Sequence, residues 1–277
     1  MPLITIPREM GTLGKDVAAQ VAQQLGEKAI HHEIVDQLAD KMRLRKTHVV
    51  RFLDGKAGIL EKLSTDHTSM SIYTAAEVLR IAASGEVAVI RGWGANHLLE
   101  PVPHVMRVRV CASFDVRVGR MMERLNTTDK SAVEKEIQLS DEAIAAITRR
   151  HFDVNWKDAE HYDLVLNTDR VSVESCTDQV LHMIKSPCFA ETAASIKILH
   201  DLMLVAQVRA ALRGDERTRT LKITIDVADG HATLIGIVET DLLLQQATEV
   251  AAAVPGITAV TNSLKAMSAA YRRFANH

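Results

Sequence analysis

Residues 3–25 read Leu3-Ile4-Thr5-Ile6-Pro7-Arg8-Glu9-Met10-Gly11-Thr12-Leu13-Gly14-Lys15-Asp16-Val17-Ala18-Ala19-Gln20-Val21-Ala22-Gln23-Gln24-Leu25. Ile4 to Ile6 is a short, apolar, β-branched run, which predicts a buried strand. Val17, Ala18, Val21, Ala22 and Leu25 recur at helical spacing, which predicts a helix from Asp16 to Leu25 that stops at Gly26. Between them lies a glycine-bearing loop that ends in Lys15. Backbone N–H groups of such a loop converge with the helix N-terminus on a single point, and an anion can sit there. A plain strand-to-helix turn, with Asp16 starting the helix, is the other reading of the same residues.

The alternation of strand and helix continues. His32 to Met42 and Thr74 to Ala83 read as helices, the second stopping at Ser84-Gly85. Val87 to Ile90 reads as a buried strand, followed by Arg91-Gly92-Trp93-Gly94. Val105 to Cys111 is another strand, with Ser113 or Asp115 capping the next helix. Leu164 to Leu166 is a further strand and Val173 to Ile184 a further helix. Buried strands interleaved with helices imply a parallel sheet covered on both faces, an α/β architecture.

Lys185-Ser186-Pro187 interrupts this pattern, and a connecting helix follows from Ala190 to about Arg213. Thr220 to Val227 then alternates with period two, Asp229-Gly230 is a hairpin turn, and His231 to Val238 returns. Thr240 caps a helix to Val254, Pro255-Gly256 stops it, and Ile257 to Leu264 is a last strand. Helix, strand, strand, helix, strand make a small α+β module. The expected division is residues 1–185, a linker and connecting helix at 186–200, the module at 201–268 and a tail at 269–277.

Apolar residues make up 47% of the chain and charged residues 25%, with a net charge of -2. That balance gives no support for a nucleic-acid or anionic-membrane surface. No apolar run approaches the ~20 residues that a membrane helix needs. The three cysteines share no CxxC spacing and read as free thiols. With no signal peptide visible, a cytoplasmic location is expected. His31 and His32 with Asp36 would place two ligands on a helical face, but no zinc motif accompanies them, and no metal site is expected among these side chains.

A phosphate loop needs small residues for close approach, a lysine for the β/γ phosphates and a hydroxyl for Mg²⁺. Gly11, Gly14 and Lys15 supply the first two, and Thr12 has a hydroxyl, but Asp16 stands where the usual pattern has Ser or Thr. Leu13 is bulky for a phosphate contact. Arg117, Arg120 and Arg124 recur on one helical face, and Arg149 and Arg150 follow the acidic helix Glu134 to Glu142. Guanidinium groups of this kind close over phosphates in phosphoryl transfer, although a solvated basic face has the same pattern. Trp93 either stacks on a base or packs, and Asn167-Thr168-Asp169 either contacts a ligand or forms a turn.

Ile4 to Gly11, Val89 to Ala95, Asp153-Val154-Asn155-Trp156 and Tyr162 to Asp169 occur in an order that resembles the cytidylate kinase-like family of P-loop nucleoside monophosphate kinases. The resemblance implies a parallel five-stranded sheet, ATP as donor, Mg²⁺, and a monophosphate such as CMP as acceptor. It implies cofactor binding at Arg8, Gly11, Thr12, Leu13, Gly14, Lys15 and Asp16. Lys15, Arg117, Arg120 and Arg124 would be catalytic. Glu33, Arg91, Asp141, Arg149 and Arg150 would lie near the acceptor or the lid. The chain differs from the family pattern at Leu13, Asp16, Trp93 and Ile144, where the lid of the family has an arginine. Val208 to Leu212, Val227 to Gly236 and Val254 to Ile257 resemble a BON domain, which implies a small ligand or a protein partner. Three functions remain open on the sequence: a nucleoside monophosphate kinase, a nucleotide-binding regulator without turnover whose second domain reports or receives the signal, and an interaction scaffold in which the loop is only a turn.

Overall fold

The computed structural model of the 277-residue chain describes residues 3–30, 33–42, 44–47, 49, 66–92 and 94–267. Strand β1 (Leu3–Ile6) leads through the glycine loop into α1 (Gly14–Leu25), and β2 (Lys28–Ile30) and α2 (Glu33–Met42) follow. Next come α3 (His67–Ala83), β3 (Val87–Arg91), the short α4 (Ala95–Leu98), β4 (Val105–Cys111), α5 (Phe114–Leu125) and α6 (Lys130–Phe152). Strand β5 (Leu164–Asn167) and α7 (Val173–Met183) complete the first unit. The strands form one parallel sheet in the order β2-β3-β1-β4-β5.

All four residues of β1 are buried because helices cover both faces of the sheet. One core joins Leu3, Ile90 and Val105 to α2 and α3, and the other joins Ile4, Ile6 and Val108 to α1 and α7. The fold agrees with the α/β reading of the sequence, and Val105–Cys111 forms the strand expected there. Strand β2 was not expected, since three residues cannot display a period. Helix α3 starts at His67 rather than Thr74, because the Asp66 carboxylate accepts from the N–H groups of Thr68 and Ser69 and begins the helix two turns earlier.

The second unit begins with α8 (Ala193–Gly214), followed by β6 (Thr224–Ala228), β7 (His231–Val238), α9 (Asp241–Ala252) and β8 (Ala259–Ala266). Strands β6 and β7 pair antiparallel around Asp229 and Gly230, whose φ values of 53° and 75° fit the expected tight hairpin. Strand β8 adds parallel to β7. Helix α8 runs without a break through residue 200. Its Leu204, Val208 and Leu212 fill the core of the second unit, while Leu199 and Ala206 pack into the first. His104 Nδ1 and Ser195 Oγ, 2.8 Å apart, fix one end of this helix to the first unit. Arg213 fixes the other end, donating to Ser69 Oγ at 2.7 Å and pairing with Asp66. Among the described residues no helix is long and apolar enough to cross a membrane.

Candidate active site

The loop between β1 and α1 is held by two devices that have nothing to do with a ligand. Gly11 has φ 80°, and a Cβ there would stand 2.8 Å from the backbone oxygen of Arg117, so α5 approaches the loop too closely for any side chain. Thr12 is buried, and its hydroxyl donates to Glu9 O at 2.9 Å while accepting from Gly14 N. Leu13, at φ 61°, adopts a left-handed conformation that glycine would take without strain. The N–H groups of Gly11, Leu13 and Lys15 find no acceptor among the described residues, at the terminus where the α1 dipole is positive.

Behind the loop lies a buried ion cluster. Arg117 is 3% exposed; it donates to Met10 O at 2.6 Å, contacts Glu9 at 3.3 Å and grips Asp141 with bonds of 2.9 and 2.7 Å. Arg109 meets the other Glu9 oxygen at 3.2 Å and lies over the buried Trp156 ring. Lys157 pairs with Asp141 at 3.1 Å. Burial pushes the Glu9 carboxyl above its usual range against the pull of Arg109 and Arg117. Burial also acts on Asp141, but the Arg117 and Lys157 contacts outweigh it and hold that carboxyl low. Burial pushes the Tyr162 phenol, bonded to Trp156 O at 2.6 Å, up to about 12.

In front of the loop is a cavity of about 990 Å³. Arg8, Gly11, Leu13, Gly14, Lys15 and Asp16 line it from the loop. Arg120 and Arg124 reach it from α5, Arg150 from α6 and Arg91 from the end of β3. Lys15, Arg124 and Arg150 make no hydrogen bond or ion pair with the described residues. Arg120 is bonded to Thr168 Oγ1 at 2.9 Å and Thr168 O at 2.7 Å, and the Thr168 hydroxyl also reaches Thr12 O. The Asn167-Thr168-Asp169 turn is thus a brace for the loop, and Asp169 accepts from Ser113 N at 2.8 Å.

The residues expected at a site therefore divide. The structure brings Arg8, the loop glycines, Leu13, Lys15, Asp16, Arg91, Arg120, Arg124 and Arg150 to one cavity. Thr12, Arg117 and Asp141 stand behind it: the expected metal hydroxyl is spent on the loop, and the expected catalytic and lid groups are tied to each other. Arg149 is exposed and does not line the cavity. Glu33 begins α2, but its side chain, like Trp93, His31, His32 and the side chain of Asp36, lies outside the described residues. Sequence reasoning missed Arg109, Lys157 and the Trp156 platform, since nothing in the local pattern of β4 marks an inward arginine. It also missed His97, which lines the cavity and packs on Phe152 at 4.9 Å. Burial, then the neighbouring His161, lowers the His97 pKa to about 4.

These features match known proteins in the following way. Residues 200–267 match the BON domain. A solved structure of an uncharacterized protein from Eubacterium ventriosum ATCC 27560 is similar at 20% identity and a TM-score of 0.53, covering 67% of this chain and 99% of that one. Shikimate kinase from Acinetobacter baumannii, solved with shikimate, gives 12% identity and a TM-score of 0.42 over 66% of this chain and 93% of its own. Deoxyadenosine kinase from M. mycoides, solved with dATP, gives 10% and 0.38 over 67% of this chain and 100% of its own. No curated protein matches the chain. Residues 3–170, more than half of the chain, match the cytidylate kinase-like family, and with its parallel sheet in the order β2-β3-β1-β4-β5 the chain belongs to that family.

Proposed function

We propose that this protein transfers the γ-phosphoryl group of ATP to a nucleoside monophosphate, CMP-like in size and charge. The observation that carries the reading is the convergence on one cavity of three cations (Lys15, Arg124 and Arg150) and loop N–H groups (Gly11, Leu13 and Lys15) that have no partner among the described residues. Phosphoryl transfer is mostly positioning and charge stabilisation, and cations held over a set of unmatched donors supply both. At about 990 Å³ the cavity is at the upper end of ligand sites and has room for a donor and an acceptor together.

In this reading the loop and Lys15 hold the donor phosphates. Arg120, already oriented by Thr168, and Arg124 neutralise charge on the transferring group. Arg8 and Arg91 reach the phosphates from the ends of β1 and β3. Asp16, in the first turn of α1, offers carboxylate oxygens of the kind Mg²⁺ takes; it would hold that ion, which would supply positive charge against the phosphates. Arg117 and Asp141 set the loop and α6 in place and do not line the cavity, whereas Glu9 joins them to it.

A second reading is a nucleotide-binding regulator. It is favoured by Ile144, an apolar side chain lining the cavity at the position of the family's lid arginine. A coupled assay with ATP and each nucleoside monophosphate separates the two. Under the first reading Lys15→Ala lowers transfer about 100-fold or more. Transfer unchanged in that variant sinks it, and ATP binding by the native protein without product establishes the regulator instead.

A further inference from the structure

The cavity is not closed by the kinase-like unit alone. Leu202, Val205, Ala206 and Arg209 of α8 also line it, although α8 is the first helix of the second unit. Their spacing of three or four residues puts them on one face of the helix, while Leu204, Val208 and Leu212 face the other core. Helix α8 lies antiparallel on α3. Its Leu199 end sits by Ala82 and Ala83, and its Arg213 end sits by Asp66 and Ser69. The apolar part of this wall comes from both helices, with Met70 and Leu79 of α3 beside Leu202 and Ala206.

The sheet order decides which ligand this wall faces. Strand β1 and the glycine loop are central. Helix α5, with Arg120 and Arg124, follows β4 on one side of β1. Helix α3 precedes β3, Arg91 ends that strand, and Asn96 in α4 follows it, on the other side. Helix α8 therefore borders the half of the cavity away from the α5 arginines. In that half stand a buried polar group and an exposed cation, neither with a partner among the described residues. Asn96 is 4% exposed and lines the cavity, and its buried Nδ2 has no hydrogen-bond partner. Arg209 makes no hydrogen bond or ion pair with the described residues. A buried amide without a partner is destabilising unless a ligand supplies the acceptor.

We propose that Arg209 binds the phosphate of the acceptor nucleotide, so that the second unit contributes an acceptor-binding residue to the site of the first. The inference rests on the phosphoryl-transfer reading and extends it. Arg209 supplies the charge, the Asn96 amide donates to an acceptor atom of the same ligand, and the apolar α3–α8 wall receives its base. An acceptor lacking the negative group gains nothing from Arg209, so the class selected is monophosphates over free nucleosides.

The test is calorimetry on the full chain with a non-hydrolysable ATP analogue and Mg²⁺ present, using CMP, UMP, AMP and GMP as probes, and comparing native protein with Arg209→Gln and Arg209→Lys. At least one monophosphate is expected to bind the native protein about tenfold more tightly than it binds Arg209→Gln, with partial recovery in Arg209→Lys. Affinity for the ATP analogue and the melting temperature should not change, because Arg209 is exposed and has no partner among the described residues to lose. Equal binding of every monophosphate by native protein and Arg209→Gln, including no binding by either, overturns the proposal. Weakening of the ATP analogue to the same degree overturns it as well, by assigning Arg209 to the donor. The phosphoryl-transfer reading is judged separately, by the Lys15→Ala assay.

Discussion

The two sides of the Gly11–Lys15 loop carry the same kinds of cation and treat them differently. Behind it, Arg109, Arg117 and Lys157 are each matched to Glu9 or Asp141. In front of it, Lys15, Arg124 and Arg150 face a cavity with no carboxylate of the described residues bound to them. Arg117 and Arg124 even share a helix, two turns apart. Matched charges fix geometry. Unmatched charges beside free N–H groups are a standing demand for an anion. Residue type and spacing do not separate framework from site; the partner does.

The largest test of that contrast is Arg117→Ala. It leaves Glu9 and Asp141 buried and short of a partner, and a broken buried pair costs about 3–5 kcal/mol. The expected readout is a fall in melting temperature on the order of 10 °C. A variant as stable as the native protein, with only its activity lost, would move Arg117 to the catalytic side of the comparison. Arg124→Ala sharpens it from the other direction. The expected loss is about 100-fold in kcat with the melting temperature held, since no described partner is abandoned. A parallel fall in stability would place Arg124 in the framework.

The smallest effect is at the cavity wall. His97 titrates near 4 when folded and near 6.5 when unfolded. Between those values the unfolded chain binds the proton and the folded chain does not, so its stability contribution is full above about 6.5 and is lost as pH falls toward about 4. Melting temperatures from pH 7 to 4.5 should fall less steeply in His97→Gln than in the native protein. Parallel slopes would show that burial of the ring does not govern its protonation.

Much of this was legible in the chain itself. The apolar run of β1, the helical spacing after Gly14 and the Asp229-Gly230 turn each express local chemistry, and each appears where that chemistry puts it. The cavity-facing cations were legible as well, from Lys15 and the α5 arginines. What the sequence hid depends on distance along the chain. Whether Arg117 turns inward is decided by Glu9 and Asp141, which lie 108 and 24 residues away. The use of Glu9 emerges only beside Arg109 from β4. The α8 wall was hidden for a related reason. Two apolar faces on one helix blur the periodicity that would announce either, so the helix read as a connector.

That shared helix has a consequence for how the molecule comes apart. A helix that packs into two cores turns an apolar face to water if either core is lost. Melting the second unit would strip one flank of α8 and loosen its hold on α3, and melting the first would do the reverse. The two units are therefore expected to melt together, and the boundary between them, drawn on sequence, is not a place where the protein can be cut without exposing a stripe of leucine and valine.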